Sequence, residues 1–308
     1  MVGEENKMRY DDLGVRMKEY EKVPQLKLTR RTPVIIRIDG KAFHSFTKGF
    51  QRPFDDILIK SMQQTMKYLC ENIQGCVLGY HQSDEISLLL VDYKNINTSA
   101  WFDNKVQKIC SIAASMTTIA FNHILSDNIQ DFGYDCCYDP DSGNFGDKVV
   151  AGREEGYERF INAYLKALRK GAMFDARCFN IPKEEVANYF YWRQQDAIRN
   201  SIQMVGQANF SHKELQNKSC ADIQRKLASE KEIDWTDFAT YLQRGSCCIK
   251  EKYFVPYENG TYVKYSEGCS DPYSDDETAM GVWRTRWVVD KDIPVFVREG
   301  RDYVEKLC

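Results

Sequence analysis

The chain contains no CxxC pair, four histidines and no excess of basic side chains among its 308 residues. Each scarcity excludes something. Forty-two basic against 45 acidic residues leave a net charge of −3, which argues against a protein that coats nucleic acid by overall charge, though not against a local basic patch. His44, His81, His123 and His212 are scattered, none at i, i+4 from another histidine or a cysteine, so structural zinc has no support. The eleven cysteines form two vicinal pairs, Cys136-Cys137 and Cys247-Cys248, and seven singles. They read as small buried hydrophobes rather than a disulfide framework. No GxxxxGK[ST], GxGxxG or GxSxG occurs, which removes P-loop, dinucleotide and hydrolase-elbow readings. No apolar run approaches the ~18–20 residues of a membrane span. The N-terminal MVGEENKMRYDD is charged where a leader would be apolar. A soluble, cytoplasmic chain without a membrane partner is expected.

What is present is a core-forming composition, 43% hydrophobic and 13% aromatic. The length suits one large α/β-type domain with an appendage. Residues 11–21 read as a short charged helix. Val34-Ile35-Ile36-Arg37-Ile38 is a β-branched strand stopped by Asp39-Gly40. From Asp55 to Ile73 apolar residues recur every three or four positions, as a helix requires, with Asp55 as its N-cap. Two apolar runs, Gly75 to Tyr80 and Ile86 to Val91, flank His81-Gln82-Ser83-Asp84-Glu85 as a hairpin with carboxylates where the strands join. A helix is expected over Trp101 to Leu125, an irregular excursion over 126–152, a strand over Ala172 to Phe179, and a helix opened by Pro182 at N1 and running to about Gln207. Trp235 to Arg244 reads as a short helix ending at Gly245, Glu258-Asn259-Gly260-Thr261 as a hairpin turn, and Trp283 to Val289 as a strand. Tyr191 and Trp192 read as core before base-stacking platforms, and Arg193 with Asp196 as an i, i+3 pair. The order is β-α-β-β-α-β-α, an α+β fold of ferredoxin type (βαββαβ) with an antiparallel sheet and packed helices. We expect a catalytic domain over 1–244 and a β-hairpin extension over 245–308 packed on it. The acidic stretch Ser270 to Glu277 matches no motif.

Asp39 at one strand end and Asp84-Glu85 at a hairpin tip would lie close in such a sheet. Carboxylates presented this way suit magnesium, which takes oxygen ligands and leaves positions for water and phosphate. Two such ions can serve an in-line displacement. Gly40 would let backbone approach a ligand, its carbonyl could ligate metal, and the amides of Lys41, Ala42 and Phe43 could cradle a triphosphate. On their own, the same residues also read as an ordinary turn and a solvated hairpin tip.

Arg37-Ile38-Asp39-Gly40-Lys41-Ala42-Phe43-His44-Ser45-Phe46 with Arg52-Pro53-Phe54-Asp55, then His81-Gln82-Ser83-Asp84-Glu85-Ile86-Ser87, then Tyr191-Trp192-Arg193-Gln194-Gln195-Asp196, resemble three blocks of the histidine-tRNA guanylyltransferase family in their order and spacing. The likeness runs from about residue 11 to 230, and Trp287 to Phe296 is also similar to one branch. The resemblance implies a palm-like domain that transfers nucleotides 3′→5′ onto the 5′ end of RNA. It implies Asp39, Gly40 and Asp84 as ligands of two magnesium ions, with Asp39, Asp84 and the accessory carboxylate Glu85 as the catalytic set. It implies nucleotide contacts, for ATP, GTP or other nucleoside triphosphates, from Asp39 through His44 and from Ser83. His44 would pack on the purine, and Lys41 and Arg52 would neutralise phosphate. Where the histidine-tRNA enzymes continue into HINNLYN, this sequence has Ile198-Arg199-Asn200-Ser201-Ile202-Gln203-Met204. Together with Phe210-Ser211-His212-Lys213-Glu214-Leu215, that departure is similar to the guanylyltransferase-like branch, which repairs incomplete tRNA 5′ ends against a template. A 5′-monophosphorylated or truncated tRNA is therefore the implied partner, and a homotetramer the implied assembly. Arg199, His212, Lys213 and Lys218 are candidate RNA-phosphate contacts.

Overall fold

Val34 to Ile38 form the middle of an antiparallel sheet whose two faces are covered by different helices. The computed structural model describes residues 2–139, 144–145, 157–258, 261–262 and 281–308. The elements run α1 (Val2–Lys22), β1 (Val34–Gly40), the single turn α2 (Phe43–Phe46), α3 (Asp56–Asn72), β2 (Cys76–Gln82), β3 (Glu85–Leu90) and α4 (Val106–Cys137). A two-residue ladder, β4 (Tyr138–Asp139) with β5 (Asn144–Phe145), precedes α5 (Tyr157–Lys170), β6 (Phe174–Asn180), α6 (Val186–Asn209), α7 (His212–Leu215), α8 (Cys220–Lys231) and α9 (Thr240–Arg244). β7 (Ser246–Glu258), β8 (Thr261–Tyr262), β9 (Gly281–Asp290) and α10 (Asp302–Glu305) complete the chain.

The strands lie in the order β6-β1-β3-β2-β7, with β8 and β9 both paired to β7. Alternation along β1 sends Ile36 and Ile38 toward α3 and α4, where they join Met62, Met66, Leu69, Phe121 and Leu125. Ile35 points the other way, into a cluster with Leu89, Val186 and Phe190 under α6. The register sets Asp39 opposite Glu85 on β3 and opposite Asp175 on β6. Chemistry-bearing residues therefore gather at one end of the central strands. Asp55 caps α3 as the sequence suggests, its carboxylate accepting from the amides of Leu58 and Gln51 at 2.9 Å and from the Tyr164 hydroxyl at 2.8 Å.

Several boundaries differ from the sequence reading. α1 begins at Val2 rather than near residue 11. α4 continues twelve residues past Leu125 to Cys137, because Phe121, Leu125 and Ile129 keep an i, i+4 stripe at 0%, 0% and 5% exposure. The loop-like Asn128 is held inside by bonds to Ser61 Oγ (2.9 Å) and Gln64 Oε1 (2.8 Å) on α3. The rest of the 126–152 excursion, apart from β4 and β5, and the Ser270 to Glu277 stretch lie outside the described residues. The Val106–Gly133 part of α4 meets the length and apolarity of a membrane span, contrary to the hydropathy reading. Its buried stripe, Ile109, Ala113, Phe121, Leu125 and Ile129, belongs to the core shared with α3 and the sheet. Pro182 precedes a 3-10 turn, Lys183–Glu185, and the helix proper starts at Val186. The expected Trp235 to Arg244 helix is two short turns, Trp235–Asp237 and Thr240–Arg244. Glu258 pairs with Thr261, while Asn259 and Gly260 lie outside the described residues.

Candidate active site

The turn joining β2 to β3 consists of Ser83 and Asp84, and it is held from two sides. Ser83 adopts φ +52°, a left-handed conformation that a non-glycine residue keeps only under external constraint. The Gly40 amide donates to the Asp84 carbonyl (3.1 Å). From below, the His81 Nε2–H donates to the Ser83 carbonyl (3.0 Å), and Ser246 Oγ lies 3.5 Å from Nδ1. Ser246 in turn accepts from Gln63 Nε2 (3.2 Å). Donation to a carbonyl fixes the neutral Nε2–H tautomer. Burial drives the His81 pKa down to about 4, opposed by its bond to Ser83. The unfolded chain binds this proton near pH 6.5 and the folded chain only near 4. Stability linked to His81 is therefore complete above pH 6.5 and lost as the pH falls through that window, by up to about 3 kcal/mol. Urea unfolding at pH 7 and pH 4.5 should show this extra loss in the wild type and not in His81→Gln; equal pH slopes would disprove it.

Asp84 and Asp39 stand together without a cation. Burial first, and then the charge of Asp39, raise the Asp84 pKa, while the Ser83 hydroxyl at 3.2 Å partly opposes the rise. Among the described residues no Lys, Arg or His lies within ion-pair distance of either carboxylate. Nor do three or more His, Cys, Asp or Glu side chains converge as a self-sufficient metal cage. A pair of hard, mutually repelling carboxylates is the donor set that magnesium accepts when phosphate and water complete its shell. The Asp39 and Asp84 side chains are donors of that kind.

Glu85 is placed differently. It is 6% exposed, and Arg193 of α6 grips it through Nε–Oε1 at 2.7 Å and Nη2–Oε2 at 2.8 Å. Burial raises its pKa and Arg193 pulls it back. With both oxygens engaged by Arg193, Glu85 anchors α6 to the start of β3. Arg193 also makes the expected bond to Asp196 (2.8 Å). Its partner on β3 lies 108 residues away, and nothing in the sequence announces it. Trp192, read as core, is 51% exposed.

Beside Asp84 opens a cleft of about 400 Å³ lined by Ser83, His44, Thr47, Gln51, Arg52 and, from α6, Met204 and Gln207. Sharing Arg52 and Gln207, a neighbouring recess of about 550 Å³ is walled by Phe210, His212 and Lys218. His44 and Arg52 are thus brought to Asp84, and His212 and Lys218 to Arg52. Lys41 is exposed, does not line the cleft, and its amide donates to the Met173 carbonyl (2.8 Å), leaving that amide unavailable to phosphate. Ala42 takes φ +53° and starts α2. The Phe43 side chain is core, packed with Phe46, Phe121 and Phe174, so only its backbone faces the cleft side. A Cβ at Gly40 would collide with the Phe43 ring; the ring, more than any ligand, demands this glycine. Arg199 is exposed and paired with Asp196. Lys213 is exposed on α7, away from both recesses.

The family model described as tRNAHis guanylyltransferase (Thg1) matches residues 14–182. The tRNA(His) guanylyltransferase of Debaryomyces hansenii is 24% identical over 233 residues, covering 71% of this chain and 74% of the relative. A solved bacterial tRNA(His) guanylyltransferase-like protein, in complex with ATP, superposes with a TM-score of 0.69 at 38% identity over 96% of this chain and 98% of that chain. The Saccharomyces cerevisiae tRNA(His) guanylyltransferase, at 18% identity over 80% of this chain and 93% of that chain, shares the fold with a TM-score of 0.54. The matched stretch exceeds half the chain and carries Asp39, Asp84 and Glu85, and the chain belongs to the tRNAHis guanylyltransferase (Thg1) family.

Proposed function

We propose that this member is a template-dependent 3′→5′ nucleotidyltransferase that restores the 5′ end of incomplete tRNA. The observation that carries the reading is the Asp39–Asp84 carboxylate pair, of which Asp84 lines a cleft of about 400 Å³. The strand order β6-β1-β3-β2, with one helix crossing between β1 and β2 and another between β3 and β6, supports a palm-like ferredoxin-type domain, with the 245–308 segment as an extension of the same body. The 38% identity to the bacterial guanylyltransferase-like protein, against 24% and 18% to the two tRNA(His) guanylyltransferases, favours the repair branch. So does the Ile198-to-Met204 departure.

Asp39, Asp84 and the Gly40 carbonyl would hold two magnesium ions, which neutralise phosphate charge and ease deprotonation of an attacking hydroxyl. The cleft receives the activating ATP or GTP, with His44 against the purine and Arg52 on the triphosphate. Ser83 and the amides following Ala42 orient its phosphates. There the RNA 5′-monophosphate oxygen attacks the α-phosphorus and pyrophosphate departs. The 3′-hydroxyl of an incoming nucleotide then attacks the activated RNA phosphorus, loses its proton to solvent, and releases the activating nucleoside monophosphate. A 5′-triphosphate end enters at the second step with pyrophosphate as leaving group. A homotetramer would combine basic patches such as Arg199, His212, Lys213 and Lys218 around one RNA despite the net charge of −3.

The test uses a 5′-monophosphorylated tRNA lacking its first nucleotide, with ATP, magnesium and each labelled nucleotide in turn, while the opposing acceptor-stem base is varied. The label should follow the opposing base and disappear with EDTA. Addition of G whatever the opposing base, on histidine tRNA alone, would move the chain to the maturation branch. Binding of RNA with no incorporation on either kind of 5′ end would make it an RNA-binding protein on the same fold.

A further inference from the structure

Two residues before Asp39, on the same face of β1, Arg37 lies with its Nε shielded from solvent and without a hydrogen-bond partner. Glu85 Oε2 stands 4.0 Å off, too far to accept, because Arg193 occupies both Glu85 oxygens. A buried guanidinium donor left unsatisfied is uncommon and calls for an acceptor from outside the fold. Above it is the exposed indole of Trp192, whose centroid lies 6.0 Å from the Arg37 guanidinium carbon and 4.5 Å from that of Arg193. Tyr189 props the ring edge-on at 5.9 Å. Across β1, opposite Arg37, stands the half-exposed Arg177, paired to Asp175 at 2.9 Å. An indole with open surface, set over an arginine whose Nε lacks a hydrogen-bond acceptor, matches the way proteins hold an unpaired nucleotide: base on the ring, phosphate on the guanidinium.

We infer that Trp192 and Arg37, with Arg177 at the rim, seat the 5′-terminal nucleotide of the RNA, the base stacked on Trp192 and the 5′-phosphate on Arg37; the inference rests on the function proposed above. Position supports this occupant over a second free nucleotide. Trp192 and the cleft-lining Met204 are twelve residues apart on α6, about 18 Å along the helix. Arg37 precedes Asp39 by two residues on β1 and does not line the cleft, whose walls include His44 and Arg52 after it. A triphosphate in the cleft and an RNA end on Arg37 would therefore occupy separate places beside the two carboxylates, as a displacement between two bound reactants requires.

The test measures anisotropy of labelled, 5′-truncated tRNA on the full-length protein, with 5′-monophosphate and 5′-hydroxyl ends, beside ATP affinity and sedimentation. Trp192→Ala should weaken RNA binding about 5- to 100-fold with ATP affinity unchanged, and Trp192→Phe should restore most of it. Arg37→Gln should erase the preference for the 5′-monophosphate end. Unchanged RNA affinity in both variants, with the wild type still incorporating nucleotides, would place the RNA end elsewhere and leave the proposed function standing. A smaller oligomer in Trp192→Ala would show that the indole covers a second copy of this chain. An equal loss of ATP affinity in Trp192→Ala and Trp192→Phe would show a structural ring. Either of these overturns the assignment. A wild type that neither binds nor extends the tRNA overturns both proposals.

Discussion

Asp84→Asn is expected to slow nucleotide addition about 10³-fold or more while leaving the fold intact. The substitution preserves shape and the neighbouring Ser83 contact but removes the charge that a divalent ion needs. It should also stabilise the protein. Because burial and Asp39 raise the Asp84 pKa, its ionised form is disfavoured in the folded state, and stability falls as pH rises from the ordinary carboxylate range through the raised value. Asparagine escapes that penalty. Thermal melts at pH 7.5 should therefore show a higher Tm together with the lost activity, the trade expected where a site holds like charges close. Full activity in Asp84→Asn would remove Asp84 from the chemistry; lost activity with a lower Tm would point to a structural role.

Arg193→Met should cost about 3–5 kcal/mol, the largest stability effect we expect from a single change near the site, because it strands the buried Glu85 carboxylate. Glu85→Gln in the same protein should recover most of the loss, since the charge that needed Arg193 is gone. The pH dependence has a defined sign. Without Arg193 the Glu85 pKa rises further, so the deficit of the single variant grows as pH rises above the ordinary glutamate range and is smaller at pH 5 than at pH 8. Denaturant unfolding of the two single variants and the double would measure the coupling. If Arg193→Met unfolds no more easily than the wild type, the pair is not what fixes α6 to β3.

The places of Asp39 and Asp84 at strand ends are legible because Asp39 follows the β-branched run Val34 to Ile38 and Asp84 lies among the polar residues between two apolar runs. The Asp55 cap was legible for the same local reason. What holds Glu85 is not legible: its partner Arg193 lies 108 residues away in the chain. Local spacing finds Asp196 for Arg193 and stops there. Trp192 follows the apolar pattern of α6, yet the helix axis turns it over β1 toward solvent, a matter of how α6 lies on the sheet. In α4 the composition of 126–131 suggested a loop, although the stripe Phe121, Leu125, Ile129 was there to be followed. His81 looked like one of five polar residues between strands; its role depends on Ser246, in the segment set apart as an extension.

That last dependence has a consequence for how the protein comes into being. His81 and Ser246 are 165 residues apart, so the turn bearing Asp84 leaves the ribosome long before the residue that completes its support. At ordinary translation speeds the interval is about 10 to 30 s. During that time the nascent chain can pair β2 with β3 but cannot close the hydrogen-bond chain from Gln63 through Ser246 and His81 to Ser83. Competence for catalysis is therefore acquired late in synthesis, when β7 takes its place beside β2.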